Sequence, residues 1–347
     1  MVYCLNMDFL NKIMSKDFYV IAEAADAHYG SLDRAKEMVL KAKLAGADAI
    51  KFQHHIPDAE MLRDIPMSGN MKEPLYDFLL KNALKIEQHI ELYSFCKHNS
   101  IDYLCTPFSL RAALELESNI DLIAYKIGSG EMLDHPTIKE IMKFGKPMII
   151  STGMSTIEEV DSTYEVVKNY DKGFVLMNCT SAYPPRYSDI HISFTREMIA
   201  RYPKAVIGFS DHSSGIEIVL AAFVLGAKVI EKHVTLNHEL SGPDQSVSID
   251  FNDLQKMINQ LRNLSQALKS KKEIHSTELE IRNWAHRSLV YNFNFKKGTV
   301  LKHGDIWGKR PGTGIPSRFI DQYIGKTLSR DVEQNTLLSK NDFNLVD

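Results

Sequence analysis

Two kinds of hydrophobic pattern alternate along the first two thirds of the chain. Short runs of apolar and β-branched residues predict buried strands, and the segments between them carry apolar residues every three or four positions, which predicts amphipathic helices. The helical pattern is seen in LDRAKEMVLKAKLAGA, after the first strand, and in TIEEVDSTYEVVKNY, after the fifth. The eight predicted strands span residues 18–24, 49–54, 102–108, 122–128, 147–153, 174–180, 205–211 and 228–234.

This alternation predicts the fold class. Near-continuous apolar strands separated by helices indicate a parallel α/β sheet covered by helices, and eight such units favour a closed (β/α)8 TIM barrel. An open doubly wound sheet is the alternative, but no GxGxxG follows the first strand. Active sites of TIM barrels lie at the C-terminal ends of the strands. The polar residues predicted near those ends are Glu23, Lys51, Gln53, Thr106, Lys126, Ser151, Ser210, His212 and His233.

The C-terminal part of the chain is richer in glycine, lysine and short β-type runs. We therefore divide the sequence into a barrel domain over 1–265, a charged linker over 266–284 and a small β-rich domain over 285–347. Within the small domain, KKGTVLKHGDI (296–306) and EQNTLLSKNDF (333–343) share the pattern x-T-[VL]-L-x-x-x-D. The repeat predicts two related turns, although a similarity of this length can also arise by chance.

Composition excludes several classes of protein. A length of 347 residues with 44% hydrophobic residues excludes a disordered or fibrous chain. The formal net charge of −3 gives no basic excess for binding nucleic acid or an anionic membrane. Asp8 and Lys12 argue against a signal peptide, and no segment has the roughly 18 apolar residues of a membrane span. The four cysteines lack metal-binding or disulfide-framework spacing, which favours a cytoplasmic location.

Lysines and hydroxyl groups at the strand ends predict an anion site. Lys51 and Lys126 would place two fixed positive charges over the barrel mouth, where they suit a ligand with a carboxylate and a phosphate. KIGSGE (126–131) adds flexible glycines, so that backbone N–H groups can approach the anion. The surrounding hydroxyl groups belong to Thr106, Ser129, Ser151 and Ser210.

Two histidines at neighbouring strand ends predict a metal site. His212 and His233, with carboxylates such as Glu131 or Asp244, would hold a divalent cation with positions open for substrate and water. Few thiols and no HExxH favour Mn²⁺ or Mg²⁺ over a structural zinc. The alternative is that a histidine closing an apolar strand serves only as a hydrogen-bonded structural residue. The tandem His54-His55 is interpreted as structural, because successive strand side chains point in opposite directions.

Several stretches together resemble the sialic acid synthase family. Enzymes of that family condense phosphoenolpyruvate with an N-acetylated hexose to make nine-carbon 2-keto acids. The resemblance runs from about residue 18 to the C-terminus, and the order of the stretches makes it specific. The matching stretches are AEAADAHYGS (22–31), IKFQ (50–53), CTPFS (105–109), YKIGSGE (125–131), STGMS (151–155), CTSAYP (179–184), GFSDHS (208–213), EKHVT (231–235), SGPDQ (241–245) and KRPGTGI (309–315).

The resemblance implies an architecture and a set of residue roles. A TIM barrel would be followed by an antifreeze-like SAF domain of the β-clip type, swapped across a homodimer so that Arg310 of one subunit reaches the other's site. His212 and His233 would be the metal ligands, and Glu23 or Glu131 would move the proton. The implied contacts of phosphoenolpyruvate are Lys51, Thr106, Lys126, Ser129, Ser151 and Ser210. The implied contacts of the acceptor sugar are Gln53, Asn70, Tyr183, Asp244 and Arg310, together with Glu23 and Glu131.

The chain departs from the usual family pattern at two positions. Ala27 stands where members usually have Asn, and Ser181 stands where many have Asn. The first change is expected to reshape the acceptor pocket, and the second removes an amide that would reach phosphoenolpyruvate. Because neither change touches the two histidines, the departures predict an altered sugar choice rather than lost catalysis.

The predicted function is therefore that of a phosphoenolpyruvate-dependent, C–C bond-forming transferase. It would be a nonulosonic (sialic-type) acid synthase that uses N-acetylmannosamine or a related acetamido sugar with water, releases phosphate and serves surface polysaccharide biosynthesis. The alternatives are a phosphorylated hexose giving a 9-phosphate, or a sugar leading to legionaminic- or pseudaminic-type acids. A silent sugar-binding or ice-binding protein is disfavoured, because a binder would not need both lysines and both histidines.

Overall fold

The computed structural model describes residues 9–67, 71, 73–238 and 244–344. The chain divides into two compact units, Met1–Lys269 and Ser270–Asp347. The first unit is a closed barrel in which all eight strands are parallel and follow one another in chain order, which confirms the predicted TIM barrel. The strands are β1 (Tyr19–Glu23), β2 (Ala49–His54), β3 (Asp102–Pro107), β4 (Tyr125–Ile127), β5 (Met148–Ser151), β6 (Phe174–Cys179), β7 (Val206–Asp211) and β8 (Val229–His233).

Helices cover the outside of the barrel. The starting points of several helices are fixed by a polar side chain that caps the first turn. Ser109, Asp134 and Thr156 each accept a hydrogen bond from the backbone N–H three residues later. The helices of this unit are α1 (Phe9–Met14), α2 (Leu32–Ala45), α3 (Pro57–Glu60), α4 (Leu75–Asn82), α5 (Ile86–His98), α6 (Leu110–Asn119), α7 (His135–Met142), α8 (Ile157–Val167), α9 (Phe194–Arg201), α10 (Glu217–Val224) and α11 (Phe251–Lys269), with a 3-10 turn at Tyr187–Asp189. Among the described residues, no helix combines the length and apolarity needed to cross a membrane.

The barrel interior changes character along each strand. Near the N-terminal ends, Tyr19, Ile21 and Val229 belong to a buried apolar cluster that includes Phe9 and Ile13 of α1. Near the C-terminal ends, alternate positions of the same strands carry charged and polar side chains that line a pocket. Because strand side chains alternate with a period of two, the same inward face of a strand carries apolar core residues near its N-terminal end and functional groups near its C-terminal end.

The second unit is small and has its own core, formed by residues such as Leu289, Tyr291 and Leu328. Its two paired strands are antiparallel, and isolated β-bridges connect several of its other segments. The elements are α12 (Ser276–Ala285), β9 (Ser288–Tyr291) and β10 (Ile306–Lys309), with 3-10 turns at Ser317–Gln322 and Lys340–Asp342.

The internal repeat of the second unit corresponds to two matched turns. Gly298 and Asn335 hold equivalent positions, and both adopt a left-handed φ, +87° and +63°. In each turn the next threonine hydroxyl donates to the carbonyl three residues earlier, at 2.7 and 2.6 Å. In each, the aspartate at the end of the pattern accepts from the backbone N–H three residues earlier, at 2.7 Å. The prediction of two related turns is confirmed.

The stretch predicted as a linker, 266–284, contains helix. Helix α11 continues to Lys269, and α12 occupies much of the remainder. Helix α12 buries none of its side chains, and its apolar residues Leu279, Ile281 and Trp284 are exposed. Its first turn is held by Glu278, whose carboxylate accepts from the backbone N–H of His275 at 3.2 Å, while Glu278 N–H donates to the His275 carbonyl at 2.9 Å.

Candidate active site

The carboxyl ends of the barrel strands surround a pocket of about 590 Å³. Every strand or the loop after it contributes lining side chains, as expected for a site on this fold. Of the sequence-predicted residues, Asn70 lies outside the described residues and Arg310 belongs to the second unit. The predicted residues that line the pocket are Glu23, Lys51, Gln53, Thr106, Lys126, Ser129, Glu131, Ser151, Tyr183, Ser210, His212, His233 and Asp244.

Four buried charged side chains, Glu23, Lys51, Lys126 and Glu231, form what we call the floor of this pocket. Each is at most 3% exposed, and they come from β1, β2, β4 and β8. Lys51 Nζ lies 2.6 Å from Glu23 Oε2 and 3.6 Å from Glu231 Oε1. Lys126 Nζ donates to both carboxylate oxygens of Glu231, at 2.9 and 3.1 Å. Two positive and two negative groups therefore compensate one another in a buried setting.

Burial and pairing have opposing effects on the floor. Burial raises the pKa of Glu23, although Lys51 offsets part of the effect. Burial also disfavours the ionised form of Glu231, but Lys126 and Lys51 outweigh it and lower the pKa of Glu231 to about 2. Glu231 is thus the fixed anion that holds both lysines, whereas Glu23 takes up a proton more readily.

The hydroxyl groups around the floor fall into two kinds. Thr106 Oγ1 accepts from Lys51 Nζ at 3.1 Å, and Ser210 Oγ donates to Glu231 Oε1 at 3.1 Å. Ser151 Oγ is buried and has no hydrogen-bond partner among the described residues. Because a buried hydroxyl without a partner is costly, Ser151 is suited to meet a ligand.

Two glycines beside the floor have no room for a side chain. Gly153 N–H donates to Ser129 Oγ at 3.1 Å, and a Cβ on Gly153 would lie 2.2 Å from Ser181 Oγ. A Cβ on Gly128 would lie 2.4 Å from Glu131 Oε2. The turns after β4 and β5 therefore bring two serine hydroxyls and a carboxylate close to the backbone at the pocket wall.

His212 and His233 come together at the ends of β7 and β8, with ring centroids 5.1 Å apart. The ring of Tyr183 stacks on His212, and its hydroxyl lies 3.2 Å from His212 Nε2. His212 Nδ1 donates to the carbonyl of Thr180 at 2.8 Å. Since a carbonyl only accepts, this bond places the proton of the neutral ring on Nδ1 and leaves Nε2 with a lone pair.

The two histidines fit a metal as a partial ligand set. His233 Nδ1 is buried, has no hydrogen-bond partner among the described residues and lies 3.9 Å from Asp244 Oδ2. Burial, reinforced by His212, lowers the pKa of His233 well below its usual value, which keeps the ring neutral. Burial also disfavours protonation of His212, but Cys179 and Thr180 outweigh it and raise its pKa to about 9, so a cation bound to Nε2 would have to displace a proton. Within the described ranges, no three His, Cys, Asp or Glu side chains are arranged to hold a metal. A cation here would take two imidazoles, with water or substrate at its other positions.

A second set of charged groups lines the pocket beyond the strand ends, and we call it the acidic rim. It comprises Asp26 after β1, Glu60 on α3, Glu131 after β4 and Asp244 after β8. Burial raises the pKa of Glu131 and of Asp244 to about 7, and nearby carboxylates add to the shift. Burial raises the pKa of Asp26 as well. Unlike Glu231 in the floor, Glu131 and Asp244 therefore exchange protons near neutral pH.

His55 connects the acidic rim to the floor. Its Nδ1 lies 2.9 Å from Glu60 Oε2, its Nε2 lies 3.0 Å from Gln53 Oε1, and its ring stacks on Phe108. Gln53 Nε2 in turn donates to Glu23 Oε1 at 2.8 Å. Burial opposes protonation of His55, but the bond to Glu60 helps to raise its pKa, so both ring nitrogens can donate.

Four charged lining residues were missed in the sequence: Glu231, His55, Asp26 and Glu60. Two of them carried a usable signal. Glu231 and His55 each lie two positions from a predicted residue, His233 and Gln53, and residues two apart share a face in extended chain. Asp26 and Glu60 belong to a turn and a short helix, where no such period applies.

Arg310 is exposed on the second unit. Its Nε donates to the carbonyl of Ala285 at 3.3 Å, and its guanidinium lies 4.4 Å from the ring centroid of Trp284. This stacking fixes the plane of the guanidinium and leaves most of its N–H donors available.

Comparison with known proteins shows relatives over nearly the whole chain. The NeuB family model matches residues 38–273, and the SAF domain model matches 286–344. The chain is 32% identical over 335 residues to the N,N'-diacetyllegionaminic acid synthase of Campylobacter jejuni, covering 93% of this chain and 99% of that protein. It is 32% identical over 336 residues to a pseudaminic acid synthase of the same species, covering 94% and 97%. A crystal structure of the Bacillus subtilis spore coat polysaccharide biosynthesis protein spsE matches with a TM-score of 0.64 and 30% identity, covering 95% and 96%.

Proposed function

We propose, from the premise that this chain belongs to the NeuB family and carries a C-terminal SAF domain, that it is a nonulosonic (sialic-type) acid synthase. It would join phosphoenolpyruvate, an acetamido hexose and water into a nine-carbon 2-keto acid and release phosphate. The observation that carries this proposal is the floor, where two buried lysines lie on β2 and β4. Fixed charges of this kind are suited to hold an anion without waiting for solvent to reorganise.

The floor has a way to accept the carboxylate and phosphate of phosphoenolpyruvate. Because burial raises the pKa of Glu23, this carboxyl would take up a proton as the anion approaches. Lys51 would then exchange Glu23 for an anionic group of the ligand, while Glu231 keeps Lys126 in place. The unpartnered hydroxyl of Ser151 and the Ser129 hydroxyl at Gly153 would complete the contacts.

The bond changes of the proposed reaction balance without a redox partner. C3 of phosphoenolpyruvate bonds to the aldehyde carbon of the open-chain sugar, whose oxygen takes up a proton, and C2 becomes an oxocarbenium centre. Water adds to C2 and the C2–O bond to phosphate breaks, which leaves the 2-keto group. One water proton balances the new hydroxyl, and the other leaves with phosphate.

Glu131 is the group best placed to give the aldehyde oxygen its proton. Its Oε2 is buried and has no hydrogen-bond partner among the described residues. Burial raises the pKa of Glu131 to about 7, so a substantial fraction carries the proton at neutral pH. Gln53, Tyr183 and Asp244, which line the same pocket, would orient the acceptor.

His212 and His233 would hold the divalent cation, Mn²⁺ or Mg²⁺. A cation bound there would supply Lewis-acid polarisation of the aldehyde oxygen. The chain's own contribution is to fix the ligands: Thr180 sets the tautomer of His212, and Tyr183 packs against the ring. Titration calorimetry with Mn²⁺ tests the pair without turnover, and His212→Ala should lose binding. Undiminished Mn²⁺ binding by that variant would remove the assignment.

We further propose a cytoplasmic homodimer in which the second unit serves the partner's barrel through Arg310. The test is to mix two inactive variants, Arg310→Ala and Lys126→Met. If the units are swapped, mixed dimers contain one intact combination of barrel and arginine and regain part of the activity. No recovery in confirmed mixed dimers would show that Arg310 acts within its own chain or not at all.

The first experiment on the reaction itself is phosphate release from phosphoenolpyruvate with Mn²⁺, offered N-acetylmannosamine, its 6-phosphate and diacetamido hexoses in turn. Sugar-dependent, chelator-sensitive release, with a 2-keto acid of the expected mass, would support the proposal. No release with any sugar, or release that does not depend on sugar, would contradict it.

A diacetamido hexose is the second candidate acceptor, with legionaminic- or pseudaminic-type acids as products. It is favoured by two relatives with 32% identity over almost the whole chain, an N,N'-diacetyllegionaminic acid synthase and a pseudaminic acid synthase. The same assay separates it from N-acetylmannosamine, because each sugar is offered alone.

A further inference from the structure

Asp26 is a buried carboxyl side chain that has no hydrogen-bond donor or ion-pair partner among the described residues. It is 7% exposed and lines the pocket, in the turn that follows β1. No described residue donates a hydrogen bond to its carboxylate or forms an ion pair with it within 4 Å. A carboxyl group in such a position loses hydration without gaining a donor, so it has a strong preference for a donor brought by a ligand.

The turn that holds Asp26 is well defined. Ala24 N–H donates to Lys51 O at 2.9 Å, Ala27 N–H to Ala24 O at 3.0 Å, and Tyr29 N–H to Asp26 O at 2.9 Å. Ala25 adopts a left-handed φ of +43°, a conformation that alanine rarely takes. The backbone therefore keeps Asp26 at the pocket wall at a conformational cost, which is common where a side chain has a functional placement.

The electrostatic surroundings of Asp26 are acidic. It interacts with His55 and Glu60, and Asp244 interacts with it in turn. The positive charge that His55 can supply is already matched by its contact with Glu60 at 2.9 Å. Among the described lining residues, the lysine and arginine side chains are Lys51 and Lys126, and both are paired in the floor.

These features separate two classes of acceptor sugar. A neutral sugar offers N–H and O–H donors, which can satisfy the unpaired oxygens of Asp26 directly. A sugar phosphate would bring two negative charges beside four carboxyl groups, where the barrel has no lysine or arginine of its own among the described residues and the proposed dimer would add one guanidinium, Arg310 of the partner subunit. Since like charges in a buried setting repel strongly, the second class is disfavoured.

We propose that Asp26 is a specificity-determining residue, which accepts a hydrogen bond from an N–H or O–H group of the acceptor and restricts the site to unphosphorylated acetamido sugars. This inference rests on the proposed synthase function and narrows it. It also places the chain after a class of reaction that supplies the acceptor as a free sugar rather than as a sugar phosphate.

The test compares the full-length enzyme with Asp26→Asn, which keeps the size of the side chain but removes its charge and one acceptor oxygen. Asp33→Asn is the matched control, because it makes the same chemical change on an exposed residue of α2. For each protein, KM and kcat are measured with the preferred free sugar, with its 6-phosphate and with varied phosphoenolpyruvate. Circular dichroism checks that the variants fold.

The wild type should prefer the free sugar to its 6-phosphate by at least about tenfold in kcat/KM. This factor corresponds to the free energy of about one hydrogen bond to a charged group. Asp26→Asn should raise KM for the free sugar by about tenfold and narrow that preference, with KM for phosphoenolpyruvate within about twofold of wild type. The control should match wild type in every constant.

The outcomes separate the inference from the proposed function. Preference of the wild type for the 6-phosphate, or an unchanged sugar KM in Asp26→Asn, would overturn the role of Asp26 while leaving the synthase proposal intact. Failure of every sugar to drive phosphate release would contradict the synthase proposal itself. If Asp26→Asn fails to fold, Asp26→Ala and Asp26→Ser provide the same comparison.

Discussion

The floor and the acidic rim of the pocket solve opposite electrostatic problems. The floor places Lys51 and Lys126 on strands, pairs each with a carboxylate and buries all four groups. The rim places its carboxyl groups in loops and a short helix, and the Asp26 carboxylate there receives no hydrogen bond from the part of the chain that the structure describes. A rigid, compensated floor suits the reactant that the proposed reaction always uses. An uncompensated rim suits a partner that must bring its own donors, so acceptor choice is expected to reside in the rim.

The largest effect should come from breaking the floor. Lys126→Met leaves Glu231 buried with one cation fewer, which should lower the free energy of unfolding by about 3 to 5 kcal/mol. It should also reduce phosphate release by about 10³-fold, since a fixed charge for the anion is lost. Urea unfolding and the phosphate assay measure the two effects. Lys139→Met, on the exposed face of α7, is the control.

A double variant sharpens that result. Lys126→Met with Glu231→Leu removes both charges of the pair, and it should recover much of the stability because no unpaired charge stays buried. Its activity should remain as low as that of Lys126→Met. Recovered activity in the double variant would mean that the lysine serves only to neutralise Glu231, and the floor would not be the anion site.

Glu131→Gln should have the second largest effect, and it probes the rim. An amide cannot supply the proton proposed for the aldehyde oxygen, so kcat/KM should fall by about 10²-fold or more. In the wild type, burial raises the pKa of Glu131 to about 7, so activity that needs its protonated form should fall as the pH rises above about 7. The control is Glu158→Gln, at an exposed position in the first turn of α8, which should retain both the rate and the pH profile of the wild type.

The sequence predicted the floor better than the rim for a physical reason. An apolar run locates a strand, and the period of two then assigns Lys51, Gln53 and Thr106 to one interior face. The same period correctly separates His54 from His55, and His54 indeed contacts Glu115 outside the pocket. The interpretation of both histidines as structural was incomplete, because His55 follows Gln53 on the inner face and reaches the pocket.

The rim could not be read in the same way. Asp26 depends on a turn with a left-handed alanine, and nothing in AEAADAHYGS identifies that conformation. The position of the Glu60 side chain depends on the short helix α3, which begins at Pro57 and ends at Glu60 itself. Its partner His55 lies five residues earlier, a separation that neither helix nor strand periodicity predicts to be a contact. Loop conformations arise from contacts that only the folded barrel supplies, so their side chains carry no periodic signal.

Acidification should distinguish the two regions, with a smaller effect. His28, in the same turn as Asp26, is buried, and burial lowers its pKa from 6.5 to about 4. A histidine whose pKa is lower in the folded state stabilises the fold above its unfolded pKa of about 6.5, and the contribution is lost as the pH falls towards 4. Between pH 7.5 and 4.5 the loss should be about 2.5 kcal/mol.

The measurement is urea unfolding at both pH values for the wild type and His28→Asn. The variant cannot titrate at this position, so its stability should fall by about 2.5 kcal/mol less than that of the wild type. Glu231, whose pKa is lowered to about 2, should stay ionised in the folded state, and because both proteins carry the same floor, titration of the floor cancels in the difference between them. Parallel losses in the two proteins would show that the pKa of His28 is the same in the folded and unfolded states, and would contradict the effect of burial.

The smallest expected effect comes from Glu60→Gln. This variant tests whether a change of charge in the rim affects binding of the sugar alone. The amide oxygen of Gln can still accept from His55 Nδ1, so Gln53 and Glu23 should keep their positions. Only the charge is removed, and His55 then becomes an unmatched positive group beside Asp26. We expect KM for the free sugar to rise by about two- to fivefold, and discrimination against the 6-phosphate to weaken, with KM for phosphoenolpyruvate unchanged. If the KM values for phosphoenolpyruvate and sugar rise together, the hydrogen bonds that run from Glu60 through His55 and Gln53 to Glu23 couple the rim to the floor. Acceptor choice could then not be assigned to the rim alone.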